Sequence, residues 1–367
     1  MATVSVTGLG KLDLTQISLA ALSNPANYQI LEQSNSVIAF KAGDFSYRLT
    51  GTNLFALGSP GSTITSLKVT FGETTFDISG INLDFATLFQ KLLSGDPNAA
   101  GVEAFLTGND TVLGTDIGEA IRDLVGHNNI LGGGGADTLT GGSGNDHIYG
   151  QSPNGGSDAA DVISAGAGAD YVNGNAGNDT INGGDGSDRI QGGADDDLIN
   201  GDAGNDTVNG NRGNDSINGG DGNDSLRGGQ GNDTIAGGAG NDMLQGDLGV
   251  DQLTGGDGVD TFIFGAGTSA IGATIDSVTD FQQGSDRIAL GFTPASVLVG
   301  GSATSIDASR TAAQALFDGH AGDGEVAAIT YQGGTLLFWS GTGGATIDSV
   351  ANFNGQAAAD FGLTDFI

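Results

Sequence analysis

The chain has 367 residues, a formal net charge of −33, a pI near 4.1 and no cysteine. Such acidity excludes nucleic acid and anionic membranes as natural partners, and the missing cysteines exclude disulfides, thiolate metal sites and cysteine nucleophiles. No apolar run approaches the roughly 18–20 residues of a membrane span, and the start, Met1 to Gly8, has no basic region or apolar core, so no cleaved secretory signal is expected there.

Residues 1–104 read as a small β-rich domain. Phe45, Tyr47 and Leu49 alternate with polar residues; Leu67, Val69 and Phe71 do the same, as do Phe76 and Ile78. One helix is predicted, capped by Asp84, with Phe85, Leu88, Phe89 and Leu92 as its apolar stripe. Its expected task is to cover the open end of whatever follows.

Residues 105–263 form a nine-residue repeat, of which Gly183-Gly184-Asp185-Gly186-Ser187-Asp188-Arg189-Ile190-Gln191 is one row. The sixth column is Asp137, Asp146, Asp161, Asp170, Asp179, Asp188, Asp197, Asp206, Asp215, Asp224, Asp233, Asp242, Asp251 and Asp260. Asp146 and Asp161 are six residues further apart than the period requires, and the stretch Gln151 to Ser157, with Pro153, should loop outward there. The eighth column is apolar, from Leu139 through Ile190 to Phe262. The second column is Gly, or Asn and Asp at Asn175, Asp202, Asn211 and Asp247, the residue types that tolerate positive φ. The fourth is Gly in almost every row, with Asp195 the clear exception.

These columns predict a tight turn over positions one to six and a three-residue strand over seven to nine with one apolar side chain inward. Such rows can only stack, giving a parallel solenoid. One buried aliphatic per row is little to set against the entropy of ordering nine residues. A column of carboxylates adds like-charge repulsion. A cation between stacked Asp side chains answers both problems, and carboxylates with turn carbonyls are hard oxygen ligands suited to calcium. The rows beginning at Phe105, Gly114 and Asp123 keep the period but place Asp110, Glu119 and Asn128 in the sixth column and Val112, Ile121 and Ile130 in the eighth. They are expected to cap the array with weak metal binding or none.

The rows resemble the Gly-Gly-x-Gly-x-Asp-x-apolar-x repeat of the RTX (repeats-in-toxin, haemolysin-type) family. The resemblance implies an all-β protein built on a parallel β-roll. It implies calcium as a structural cofactor, about a dozen ions, held between turns two rows apart by the sixth-column Asp and turn carbonyls.

Residues 264–367 read as a β-rich cap. Val278 to Phe281, Gly284 to Leu290, Ala328 to Tyr331 and Gly334 to Phe338 carry the apolar patterns, and the segment resembles the one that follows the repeats in RTX proteins. The terminal Leu363-Thr-Asp-Phe-Ile367 resembles the uncleaved signal of type I secretion substrates, or forms a last edge strand.

No His-Glu-x-x-His or Gly-x-Ser-x-Gly motif is present, and the only histidines are His127, His147 and His320. The chain is therefore read as no enzyme, with carboxylate-only catalysis the remaining enzymatic route. The expected role is that of a secreted structural protein of a surface layer, filament or matrix, self-associating once calcium is bound. The alternative is an adhesin or a glycan- or ice-binding module, suggested by Asn182, Asn200 and Asn218 on alternate rows of the ninth column.

Overall fold

The computed structural model describes residues 125–151, 158–265, 275–318, 324–339, 347 and 349–367 in full. Before residue 125 it describes the backbone of the strands between Thr3 and Arg122 and the side chain of Ile121. The chain divides into two compact units, Met1–Ile181 and Asn182–Ile367.

In the first unit, strands Gln29–Gln33, Val37–Ala42, Phe45–Thr52, Thr63–Phe71 and Thr74–Asp84 form an antiparallel meander in chain order. The three alternating patterns seen in the sequence fall on the last three of these strands. Thr3–Thr7 lies against Thr74–Asp84 and then pairs in parallel with Thr111–Leu113, placing Val4 beside Val112. A strand therefore takes up the edge of the first repeat row. Asp84 is the last residue of its strand, and the stripe Phe85 to Leu92 lies outside the described residues.

Rows then alternate between two sheets. Asn129–Gly133, His147–Gln151 and Tyr171–Ala176 continue the first sheet, whereas Ala120–Arg122, Thr138–Ser143 and Val162–Ala167 form the second. Pairs such as Leu139 with Ile163 keep the eighth column in register across the insertion. Of that insertion, residues 152–157 lie outside the described residues.

The second unit repeats the arrangement. One sheet holds Arg189–Ala194, Thr207–Arg212, Ser225–Gln230, Met243–Leu248, Thr261–Ile263 and Arg287–Ala289. The other holds Leu198–Ala203, Ser216–Asp221, Thr234–Ala239, Gln252–Asp257 and Asp276–Val278, followed by Ser349–Phe353 and strands of the C-terminal segment. All ladders between rows are parallel, as in Ile217 beside Ile235. The described residues are thus mostly β, with parallel β-roll rows and one helix.

Between Val162 and Asp257 the strands are six residues long, not three. They run from the seventh column through the third column of the next row, and only positions four to six turn. The backbone explains the difference. Second-column residues have positive φ, including Asn175 at 78°, Asp202 at 70°, Asn211 at 76° and Asp247 at 73°, yet their neighbours stay in the ladder, with Asn211 beside Gly229. The positive-φ residue bends the strand without ending it. Burial alternates accordingly, and two columns on each strand point inward, the eighth apolar residue and the first-column Gly.

Beyond the last repeat the aliphatic column becomes aromatic. Phe262 and Phe281 have ring centroids 6.1 Å apart, Phe281 and Phe353 5.3 Å, and Phe264 and Trp339 5.7 Å. Larger rings fill the roll where its two sheets give way to the cap. The helix Ile306–Asp318, which no sequence pattern singled out, packs Ala313 and Phe317 against Ile329, Leu336 and Phe338. The expected strands near residues 328–331 and 334–338 are Glu325–Tyr331 and Gly334–Trp339. The C-terminus is not a full strand: Phe366 makes an isolated parallel bridge to Ile288, and the Ile367 N–H donates to the Ile288 carbonyl at 3.1 Å.

Candidate metal centre

All fourteen sixth-column Asp residues are buried, each at 3% exposure or less. The expectation of a carboxylate set in the turn is met, but the side chain turns inward from it. In eleven of them Oδ1 accepts the backbone N–H of the sixth-column residue one coil earlier. In the first unit Asp146 accepts from Asn128 at 2.7 Å, Asp161 from Asp137 at 2.8 Å, Asp170 from Asp146 at 2.7 Å and Asp179 from Asp161 at 2.8 Å. In the second, Asp206 accepts from Asp188 at 2.8 Å, Asp215 from Asp197 at 2.9 Å, and the pattern runs on to Asp260, which accepts from Asp242 at 3.0 Å.

The other oxygen differs. Oδ2 of Asp146 and Asp161, and of Asp206, Asp215, Asp224, Asp233, Asp242, Asp251 and Asp260, is buried and accepts no hydrogen bond. In Asp161, Asp206, Asp215, Asp224 and Asp242 it lies beside the first-column glycine of its own row and the carbonyl of the first-column glycine one coil on; in Asp146 that carbonyl is that of Ala165. A Cβ added to Gly201 would sit 2.5 Å from Asp206 Oδ2 and 2.5 Å from the Gly219 carbonyl oxygen. First-column Gly therefore leaves open a cradle that any side chain would fill. An anionic oxygen and a carbonyl oxygen share it, with no donor between them. Only a proton or a cation relieves that arrangement.

The electrostatics agree. Burial, opposed by the backbone hydrogen bond, pushes the carboxyl of Asp161, Asp206 and Asp233 up to about 7. It raises Asp146, Asp170, Asp215, Asp242 and Asp251 to about 6. Asp224 and Asp260 move in the same direction for the same first cause.

Among the described residues no group of three or more His, Cys, Asp or Glu side chains converges on one point. A cation here must complete its shell with main-chain carbonyls. That donor set, all oxygen and partly carbonyl, fits calcium and does not fit zinc.

Two column members were invisible in the repeat. Asp276 Oδ1 accepts the Asp251 N–H at 2.9 Å, and Asp286 Oδ1 accepts the Asp260 N–H at 3.1 Å. They lie 25 and 26 residues on instead of 18, so the period hides them. Asp286 also accepts the Gln282 N–H on Oδ2 at 2.7 Å, which satisfies both oxygens without a cation. Asn128, with a neutral amide, holds the equivalent place before Asp146.

A second column knits the outer edge in the opposite sense. The fifth-column side chain accepts the N–H of the residue one coil later: Asn205 from Asn223 at 2.7 Å, Asn223 from Asn241 at 2.7 Å, Asn214 from Asn232 at 2.8 Å. His127 belongs to this column, its Nδ1 accepting the Asn145 N–H at 2.7 Å. Asp196 does as well, taking the Asn214 N–H at 2.6 Å. The departure at Asp195 is absorbed by a left-handed conformation at φ 78°. His147 packs its ring against Tyr171 at 5.8 Å. His320 lies outside the described residues.

Fold and site together define a parallel β-roll whose coils present desolvated carboxylate oxygens to main-chain oxygens, a repeat scaffold for hard cations. Residues 125–152, 155–190, 182–217, 209–244 and 236–269 match the RTX calcium-binding nonapeptide repeat (4 copies), and this array belongs to that calcium-binding family. No curated protein matches the chain. Among solved structures, the AlgE6R3 subunit from the Azotobacter vinelandii mannuronan C5-epimerase is similar at 22% identity, over 50% of this chain and 78% of that chain, with a TM-score of 0.20.

Proposed function

We propose that this is a secreted protein with a structural role outside the cell, in a surface layer, filament or matrix, which folds and self-associates when calcium fills its array. The fourteen sixth-column residues, Asp137 through Asp260, are the proposed ligands, and about a dozen ions the proposed complement, if stacked rows share sites. The observation that carries this reading is the buried Oδ2 column facing main-chain carbonyls. It makes order in the largest part of the chain conditional on a cation. Calcium is scarce in cytosol and plentiful outside, so folding follows export. The C-terminal residues Leu363 to Ile367 are the proposed signal to a type I exporter.

The binding-module reading rests on the ninth-column Asn ladder. Asn218 Nδ2 donates to Asn200 Oδ1 at 2.9 Å. These amides thus spend hydrogen-bonding capacity on one another, which favours a stabilising ladder over a glycan-reading one. No catalytic role is assigned to any residue.

The test is sedimentation and negative-stain imaging of the full chain across a calcium series at fixed ionic strength. Ordered assemblies at millimolar calcium that dissolve in chelator are expected. Folded monomer at every calcium concentration would remove the structural role and leave the binding module.

A further inference from the structure

The two sheets of Asn182–Ile367 carry opposite charge on their outer faces. One bears Arg189, Arg212, Arg227 and Arg287, four of the seven arginines in the chain. The acid on its strands is Asp247, which is paired to Arg227. The repeat strands of the other sheet, Leu198–Ala203, Ser216–Asp221, Thr234–Ala239 and Gln252–Asp257, contain no lysine or arginine and carry Asp202, Asp221 and Asp257. Arg189 and Arg212 are exposed on the first face, Asp221 and Asp257 on the second. Large apolar side chains also stand out from both: Met243 and Leu248 at 48% and 53% exposure on the arginine face, Leu198 at 53% on the acidic one.

The segregation follows from alternation. Successive rows go to opposite sheets, so residues nine apart never share a face and residues eighteen apart always do. A basic residue confined to alternate rows marks one face only. In a chain of net charge −33, a cationic face is a local reversal of the overall sign.

We infer that the arginine face of one molecule docks on the acidic face of a second copy. This rests on the self-association proposed above and names its surface. A second copy fits better than another polyanion because both faces are built from the same repeat. Their charges stand on strands with one common spacing, about 4.8 Å. The pairing is heterologous, one face against a different face, so each bound copy leaves both kinds of face free at the ends and growth is open. Four strands of six residues and two of three cover roughly 500 Å² a side, or about 1,000 Å² in total, at the level of weak interfaces. A pairing this small cannot survive reversal of its charges.

The experiment uses two full-length variants. One carries Arg189→Glu and Arg212→Glu, the other Asp221→Arg and Asp257→Arg. Circular dichroism in a calcium titration checks that each folds. Sedimentation at millimolar calcium then reads assembly of wild type, each variant and their equimolar mixture. Each variant alone is expected to need at least tenfold more protein than wild type to assemble. The mixture should assemble near the wild-type concentration, because every junction between unlike variants again opposes Arg to an acid. Assembly of either variant alone at the wild-type concentration overturns the face pairing, and so does a mixture of two folded variants that stays monomeric. Both results leave self-association standing if wild type assembles. A wild-type protein that stays monomeric overturns the pairing and the self-association together.

Discussion

The backbone N–H of Asp206 donates to Asp224 Oδ1 at 2.8 Å, while Asp224 Oδ2 is buried without a hydrogen bond. One carboxylate thus does two things. Oδ1 ties consecutive coils together, and Oδ2 is reserved for a cation. Substitutions can separate the two tasks.

Asp206→Ala removes both, leaving the Asp188 N–H without its acceptor, which costs about 1–3 kcal/mol. Asp206→Asn keeps an acceptor and removes the charge; the sixth column already contains one neutral amide, Asn128. The expected outcome is a sign inversion. Relative to wild type, the Asn variant should show more β-signal in chelator and need severalfold more calcium for full signal. The Ala variant should be weaker in both conditions. Circular dichroism with and without calcium checks this, and an Asn variant weaker than Ala in chelator contradicts it.

Acid should partly replace calcium. The carboxyls of Asp161, Asp206 and Asp233 lie at about 7 in the fold, against an ordinary 3.8. A raised folded value means the metal-free fold holds protons that the unfolded chain has released. That stabilisation is complete below about pH 4 and is lost as pH rises through 6 to 7. In calcium-stripped buffer the β-signal should therefore grow between pH 7.5 and about 4.5. A signal unchanged across that range would count against desolvated carboxylates. The same linkage predicts proton release when calcium binds near pH 7, measurable in weakly buffered titrations.

Fourth-column glycines should tolerate no side chain. Gly204 has φ 141°, and a Cβ there would overlap the Gly186 carbonyl of the neighbouring coil. Gly284 also has positive φ, 77°, but nothing lies within 4 Å of its would-be Cβ. Gly284→Ala should cost only the left-handed penalty, about 1–2 kcal/mol. Gly204→Ala should cost several times that and broaden calcium-induced folding. Equal midpoints in a urea titration with calcium present would refute the distinction.

Asp276 lies outside the repeat, yet its Oδ1 accepts the Asp251 N–H. Asp276→Ala should destabilise the calcium-bound protein by about 1–3 kcal/mol, as a mid-array change does. A loss below about 0.5 kcal/mol, the level of an ordinary surface substitution, would show that the column ends at Asp260.

Export should depend on the terminal residues. Deletion from Ala328 onward would also remove the buried core strands Glu325–Tyr331 and Gly334–Trp339. Deleting only Leu363 to Ile367 is the cleaner trial. Retention inside cells with a matching type I exporter is expected, and undiminished secretion would place the signal elsewhere.

Much of this protein is written in its rows. The positive-φ positions, the buried eighth column and the alternation of sheets depend on nine residues at a time. Residue type alone settles them, because only Gly, Asn and Asp fit the left-handed sites and only an aliphatic suits the interior. The choice of oxygen ligands, and hence of a hard cation, is legible for the same reason.

What only the tertiary structure decided depends on neighbouring coils. The carboxylate turns inward because the N–H it satisfies belongs to the previous coil, eighteen residues away. First-column Gly is required both by the Asp Oδ2 of its own row and by a carbonyl of the next coil, as at Gly201 between Asp206 and Gly219. Asp276 and Asp286 join the column although the period has lapsed, because stacking sets position in space whatever the count along the chain. The opposed charges of the two faces exist only after alternate rows have been sorted into sheets. A repeat states what each coil is made of; the contacts between coils determine what each side chain meets.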